Sequence, residues 1–174
     1  MPSQLPNYEF CYVCGHANPL GLNVRFHVDA EGVVTTRFRP DRLHGGYPGR
    51  LHGGVMAALL DETMGWAPCV AAGRFCVAVE LNVRYLKPAP TDRELLVVGR
   101  TESAASRIWQ ASGEITDQDG TVYARGTGRY FPLSEAETNA IMEVLTVNGE
   151  HLSLAEAIAR AGARTVSSKL VSGE

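Results

Sequence analysis

The chain has 174 residues, the length of one ordinary domain, and 45% of them are apolar, enough to bury a single core. Its formal charge of −3 sits at one end: 13 Lys/Arg balance 13 Asp/Glu as far as Leu133, and residues 134–174 carry 3 and 6. A neutral body without a Lys/Arg run excludes the counterion-release binding that nucleic acids and anionic membrane surfaces call for, and no apolar run is long enough to span a membrane.

The first ten residues, with Pro2, Pro6 and Glu9, lack the basic and apolar regions of a secretory signal, so the expectation is a cytoplasmic protein, mature from residue 1. Cys11 and Cys14 form a C-x-x-C. Cys69 and Cys76, seven apart, do not supply the matching knuckle, so a zinc site would need His16 or His27, and no metal or cofactor is assigned. A redox reading is weaker still, because the motif does not open a helix inside a βαβ unit. Gly15, Asn18, Pro19 and Gly21 make residues 11–22 an ordered loop, and Tyr12, Val13 and Leu20 make it a candidate cover for a pocket. Leu22, Val24, Phe26 and Val28 alternate with polar residues as a first strand, which a turn at residues 29–32 joins to a second over residues 33–38.

In the Gly/Pro-rich loop of residues 40–52, Arg42-Leu43-His44-Gly45-Gly46 recurs as Arg50-Leu51-His52-Gly53-Gly54. Two copies make no solenoid, and the echo reads as coincidence. A helix with no polar face follows from Val55 through Ala67, with Pro68 expected to end it; such a helix belongs at the centre of a fold. Next, Val77, Val79, Leu81, Val83 and Tyr85 alternate as one apolar face, residues 95–98 form an apolar run, and Trp109, Ala111, Gly113 and Ile115 alternate again. The turn Asp117-Gln118-Asp119-Gly120 joins that strand to residues 122–131 as a hairpin. Six strands and one buried helix predict an α+β architecture over residues 1–133, an antiparallel sheet wrapped round a central helix, with residues 1–21 as an N-terminal loop segment. Past Pro132, the capping boxes Ser134-x-x-Glu137 and Ser153-x-x-Glu156 announce two short amphipathic helices, so residues 134–174 read as a helical appendage that frays from Thr165.

Two features carry chemistry. Asp61 follows Ala57 and Ala58 and precedes Met64 on one helical face, where a carboxylate is costly to ionise; it is either functional or satisfied by backbone donors. Glu62 stands about 100° round the helix and points elsewhere, towards solvent or a subunit boundary. His52-Gly53-Gly54 lies at the helix N-terminus, where unpaired N–H groups polarise a carbonyl and the glycines admit a substrate closely. Gly53 and Asp61 are about 12 Å apart along one helix, too far to touch the same carbonyl, so cooperation between them requires two chains.

The run Leu51-His52-Gly53-Gly54-Val55-Met56-Ala57-Ala58-Leu59-Leu60-Asp61-Glu62 resembles the motif of the hotdog-fold thioesterases, in particular the PaaI-like group of the 4-hydroxybenzoyl-CoA thioesterase superfamily. Cys11-x-x-Cys14-Gly15-x-x-Asn18-Pro19-x-Gly21-Leu22, Glu80-Leu81-Asn82-Val83-Arg84-Tyr85-Leu86-Lys87-Pro88 and Ala124-x-Gly126-x-Gly128-x-Tyr130-Phe131 look like the same group. The resemblance spans residues 11 to about 133 and implies a hotdog fold, a homodimer or dimer of dimers, and hydrolysis of an acyl-CoA thioester at the subunit interface. It implies that Gly53 N–H binds the thioester carbonyl, that Asp61 of the partner chain is general base or nucleophile, and that His52 holds the loop, with Gly54, Glu62 and His44 on the substrate side. Two positions depart from the group's pattern. Cys76, Val77 and Ala78 stand where many relatives place a hydroxyl, and Gly46 stands where they place Asn or Gln, with His44 the candidate substitute. Lys87, Arg84, Arg93, Arg100 and Arg107 are candidates for the CoA phosphates, none of them assigned. The rival readings are a feeble module that binds acyl-CoA as a sensor and a hotdog dehydratase or hydratase; the acid spacing fits the thioesterase better.

Overall fold

The computed structural model of the chain describes residues 2–147, 150–151 and 153–161, so the stretch from Thr165 lies outside the described residues. Two short strands, β1 (Ser3–Gln4) and β2 (Asn7–Tyr8), precede β3 (Phe26–Val28) and β4 (Val34–Phe38). A 3-10 turn (Arg42–His44) and the ribbon of β5 (Gly45–Tyr47) and β6 (Arg50–Leu51) lead into α1 (Gly53–Ala72). The long strands β7 (Cys76–Tyr85), β8 (Leu95–Ser103), β9 (Trp109–Asp117) and β10 (Val122–Pro132) follow. They are succeeded by α2 (Glu135–Met142), β11 (Leu145–Val147), β12 (Glu150–His151) and α3 (Leu154–Ala161).

Seven strands form one antiparallel sheet in the order β1-β3-β4-β8-β9-β10-β7, and α1 packs on β4, β7, β8, β9 and β10. This is the expected hotdog arrangement, with all six expected strands present and β1 added. Among the described residues no helix is long and apolar enough to cross a membrane.

The helix lies close to the sheet because glycines stand beneath it. Gly99, Gly113 and Gly126 are register partners across β8, β9 and β10. A Cβ on Gly99 would stand 2.5 Å from the Thr63 carbonyl oxygen, one on Gly113 2.8 Å from Met64 Cγ, and one on Gly126 3.0 Å from Met64 Cε. The row is a trough cut into the sheet for the middle of α1.

Three local expectations are corrected. Pro68 does not end α1, which runs on to Ala72 and stops at Gly73, a left-handed C-cap (φ 65°) whose N–H donates to the Cys69 carbonyl. An interior proline costs about 3 kcal/mol, but Ala67, Pro68, Cys69 and Val70 are all buried, and the full burial of Val70 alone returns about 1.5–3 kcal/mol. The first strand begins at Phe26, not Leu22, because Asn23 turns the chain through the left-handed region (φ 52°). The N–H groups of Leu22 and Val24 donate instead to the carbonyls of Tyr12 and Val13, clamping the cysteine loop. In β7, the register against β10 shifts at Arg129/Tyr130: Glu80 pairs with Arg129 and Ala78 with Tyr130, which leaves Val79 as the extra residue of a bulge. The bulge flips the phase of the strand. Leu81, Val83 and Cys76 pack on the core, whereas Val77 and Val79 are 48% and 55% exposed.

Both capping boxes form, with Ser134 and Glu137, and Ser153 and Glu156, exchanging side-chain and backbone hydrogen bonds. The C-terminal elements β11 and α3 are tied to the N-terminus: β11 pairs with β2, and Leu145, Leu154, Ala157 and Ile158 join the core that contains Leu5. The Arg-Leu-His-Gly-Gly echo forms the two arms of one ribbon, with Gly45 opposite Leu51 and the His52 N–H donating to the His44 carbonyl.

The β9–β10 turn is held by Asp117, whose side chain is only 2% exposed. Its carboxylate accepts from the N–H groups of Asp119 and Thr121, from the Tyr123 hydroxyl at 2.7 Å and from Arg93 at 3.1 Å. The Tyr123 hydroxyl above all, with the other donors, holds this carboxyl down at about 2. Asp117→Ala is expected to lower the urea midpoint at unchanged m. A depressed carboxyl contributes stability above its unfolded value near 3.8 and loses it as pH falls through about 2, so the gap between wild type and variant closes in that window.

Candidate active site

α1 carries the candidate groups at two heights. Its N-cap is His52, whose Nδ1 accepts the Gly54 N–H at 2.9 Å. The N–H of Gly53, the first helical residue, has no partner among the described residues, as expected for one of the donors a helix start leaves open. The Tyr85 hydroxyl, at the end of β7, donates to the Gly53 carbonyl at 2.9 Å, and the Tyr85 ring stands against the glycine.

Two turns further on, half-buried Asp61 meets β10. The Tyr130 hydroxyl donates to the Asp61 carbonyl at 3.1 Å and stands 3.5 Å from Oδ1. Burial raises the Asp61 carboxyl above the usual range, and the Tyr130 hydroxyl opposes the rise; Tyr130 is itself pushed well up by burial and by the Asp61 charge. Such a carboxyl is a better proton acceptor near neutrality than one in water. Asp61 lines a mostly apolar cavity of about 270 Å³ with Glu62 and Trp66 of α1, Cys76 and Ala78 of β7, and Tyr130. Of the three positions where the resemblance leads one to expect a hydroxyl, Cys76 and Ala78 are at the cavity wall.

The cysteine loop forms another wall of the cavity through Cys11 and Cys14, while Tyr12 and Leu20 point to solvent. Glu62 turns away from Asp61 to this loop rather than to solvent, with Oε2 at 3.2 Å from Cys11 Sγ. Burial, then the charge of Cys11, pushes the Glu62 carboxyl up to about 8. Hydrogen bonding from Cys14 above all, with the Val13 and Cys14 N–H groups, brings the Cys11 thiol down to about 5 against the opposing effect of burial, and pushes Cys14 up. His44 is elsewhere: its Nδ1 accepts the Asp41 N–H, its ring packs edge-on against Phe38, and it lines a separate larger cavity with Arg25 and Arg37. Of the candidate phosphate binders, Arg93 is taken by Asp117 and Asp119. The chain thus brings Asp61 together with Tyr130 and the cysteine loop, and keeps Gly53 apart from Asp61.

Residues 48–124 match the model of the thioesterase superfamily. Over that stretch the chain is similar to this superfamily. A solved thioesterase superfamily protein is 29% identical with a TM-score of 0.67; the match covers 71% of this chain and 60% of that one, so this chain spans less than two thirds of that relative. A Streptococcus mutans protein bound to acetyl-CoA is 21% identical, with a TM-score of 0.60 over 64% of this chain and 90% of its own. A hypothetical thioesterase protein with coenzyme A from Streptococcus pneumoniae is 22% identical, with a TM-score of 0.59 over the same shares. These last two likenesses speak for the fold.

Sequence reading missed Tyr130 as a site residue, although it stands in the Gly126-x-Gly128-x-Tyr130-Phe131 stretch; no periodicity reports that a tyrosine 69 residues on meets Asp61. It also missed that Cys69 and Cys76 line the same cavity as Cys11 and Cys14, with their sulfurs 3.4 Å apart.

Proposed function

We propose that the chain hydrolyses acyl-CoA thioesters as a homodimer, or a dimer of such dimers, each site combining Asp61 of one protomer with the Gly53 N–H of the other. The observation that carries the reading is Asp61, a carboxyl raised by burial in the wall of a mostly apolar cavity at whose rim lies β7. β7 is a ten-residue edge strand with bare Val77 and Val79, a liability unless something covers it. It begins at Cys76 beside the Asp61 cavity and ends at Tyr85 against Gly53. Two copies related by a two-fold axis pair these strands antiparallel, so the Asp61 end of one lies beside the Gly53 end of the other.

The chemistry follows from that juxtaposition. The Gly53 N–H, at the positive end of α1, polarises the thioester carbonyl, and His52 occupies the Gly54 N–H and fixes the turn. Asp61 takes a proton from water as the water oxygen bonds to the carbonyl carbon, or attacks that carbon itself. In the first route the C–S bond then breaks and the CoA sulfur leaves with that proton; in the second it breaks to a CoA thiolate and an acyl–Asp61 anhydride, which water hydrolyses to the free acid and the Asp61 carboxyl, whose proton goes to the thiolate. The acetyl-CoA and CoA held by the two streptococcal proteins of this fold support the substrate class.

A panel of aryl, short and long acyl-CoA esters, read by thiol release, tests the activity; tight binding without release from any of them favours the sensor reading. The shared site is tested with Gly53→Pro, which deletes the N–H at a helical position where proline is welcome, after a His52 backbone (φ −65°, ψ 136°) that already suits a following proline, and sets a Cβ 3.3 Å from the Tyr85 ring, which must give slightly. Turnover is expected to fall by about 10²-fold. Mixed with an Asp61→Asn variant and allowed to exchange subunits, it regains activity, because one site per mixed dimer then holds both native groups. Two dead variants that stay dead together despite exchange would put both groups in one chain.

A further inference from the structure

The thioester chemistry leaves the Cys11-x-x-Cys14 motif unused, yet the fold is built around it. The geometry points to a zinc site: Cys11 Sγ, Cys14 Sγ and one carboxylate oxygen of Glu62 bind one Zn²⁺, and a water fills the fourth position on the side of the Asp61 cavity. The three donor atoms lie within 4.8 Å of one another. Tetrahedral zinc with bonds of about 2.3 Å to sulfur and about 2.1 Å to oxygen sets its ligands about 3.5–3.8 Å apart, so closing on the ion takes only small side-chain shifts. Sequence alone demanded a histidine as the third ligand. His16 is exposed and His27 lines the other cavity, whereas Glu62, 51 residues from Cys11, supplies the missing donor.

The loop is already shaped as a metal knuckle. The N–H groups of Val13 and Cys14 donate to Cys11 Sγ at 3.3 and 3.4 Å, the outer hydrogen bonds that orient a liganding thiolate. Gly15 folds onto Cys11, its N–H donating to the Cys11 carbonyl at 2.9 Å, and a Cβ there would run into the Cys11 backbone. Asn7 and Arg25 donate to the Cys14 carbonyl at 3.1 and 3.0 Å, holding the second cysteine from both sides. No ion pair formed by Glu62 is present among the described residues, so a divalent cation gives this largely buried carboxylate the counter-charge it otherwise lacks. Zinc held by soft thiolates and one carboxylate, with three protein ligands, has the donor set of an open rather than a closed site. It straps the N-terminal loop to α1 at the residue next to Asp61.

Untagged protein under a non-thiol reductant is titrated with Co²⁺, then with Zn²⁺. Wild type is expected to take up one Co²⁺ per chain with an intense near-ultraviolet thiolate-to-metal band that equimolar Zn²⁺ abolishes. Cys14→Ser loses most of the band, and Glu62→Gln keeps it but binds at least about 10-fold more weakly. Absence of the band in wild type at one equivalent overturns the assignment and needs no variant. A band that survives in Cys11→Ser and Cys14→Ser but vanishes in Cys69→Ser overturns it too, moving the metal to the other thiol pair. The readout is metal occupancy, so it stands or falls separately from acyl-CoA hydrolysis.

Discussion

Asp61→Asn is expected to lower kcat for acyl-CoA hydrolysis by at least about 10²-fold while leaving the protein folded. The amide keeps the size of the carboxyl and an oxygen for Tyr130, but it neither accepts a proton nor forms an acyl intermediate. The acid limb of the pH profile of kcat/KM, which reports a carboxyl raised above 3.8, disappears with it. Stability moves the other way. A carboxyl whose value is raised by folding costs stability as pH rises above its unfolded value, so the uncharged variant is expected to melt at or above the wild-type Tm at neutral pH. Unchanged thiol release in a folded variant would remove Asp61 from the mechanism. A lower Tm with a matching fall in activity would reduce the residue to a structural one.

Gly99→Ala is expected to destabilise the fold by about 3 kcal/mol, the upper end of overpacking costs, read as a fall in urea midpoint. Its Cβ would press on the Thr63 carbonyl, which is backbone of the central helix and yields only if α1 lifts from the sheet. Gly126→Ala, in the same row, meets only the ends of Met64 and Leu60 and is expected to cost about 1 kcal/mol. Against a typical total of about 5–15 kcal/mol, the first substitution removes a large share of the stability and the second does not. Equal effects at both positions would contradict a trough formed by backbone approach.

Much of this follows from residues close together in the chain. The capping boxes join Ser134 to Glu137 and Ser153 to Glu156, three positions apart, so their sequence spelling is their structure. The apolar run of α1 and the alternation of the strands set which elements form, and His52-Gly53-Gly54 before that run places open N–H groups at the helix start. The distance from Gly53 to Asp61 along one helix likewise follows from helical rise alone.

The remainder was decided by contacts between residues far apart, which no period in the sequence reports. Pro68 stays helical because the turn it sits in is buried, and tertiary burial outweighs the local preference of proline. Val77 and Val79 read as core by alternation, but the bulge against β10 turns them outward and makes an exposed edge. Tyr130 reaches Asp61 across 69 residues, and Glu62 reaches Cys11 across 51. Sequence by itself determined the helix, the strands and the acid that stands in them. Only the tertiary structure decided what that acid and its neighbour face, because side-chain partners are set by how sheet and helix are brought together, and local geometry specifies a face without specifying who meets it.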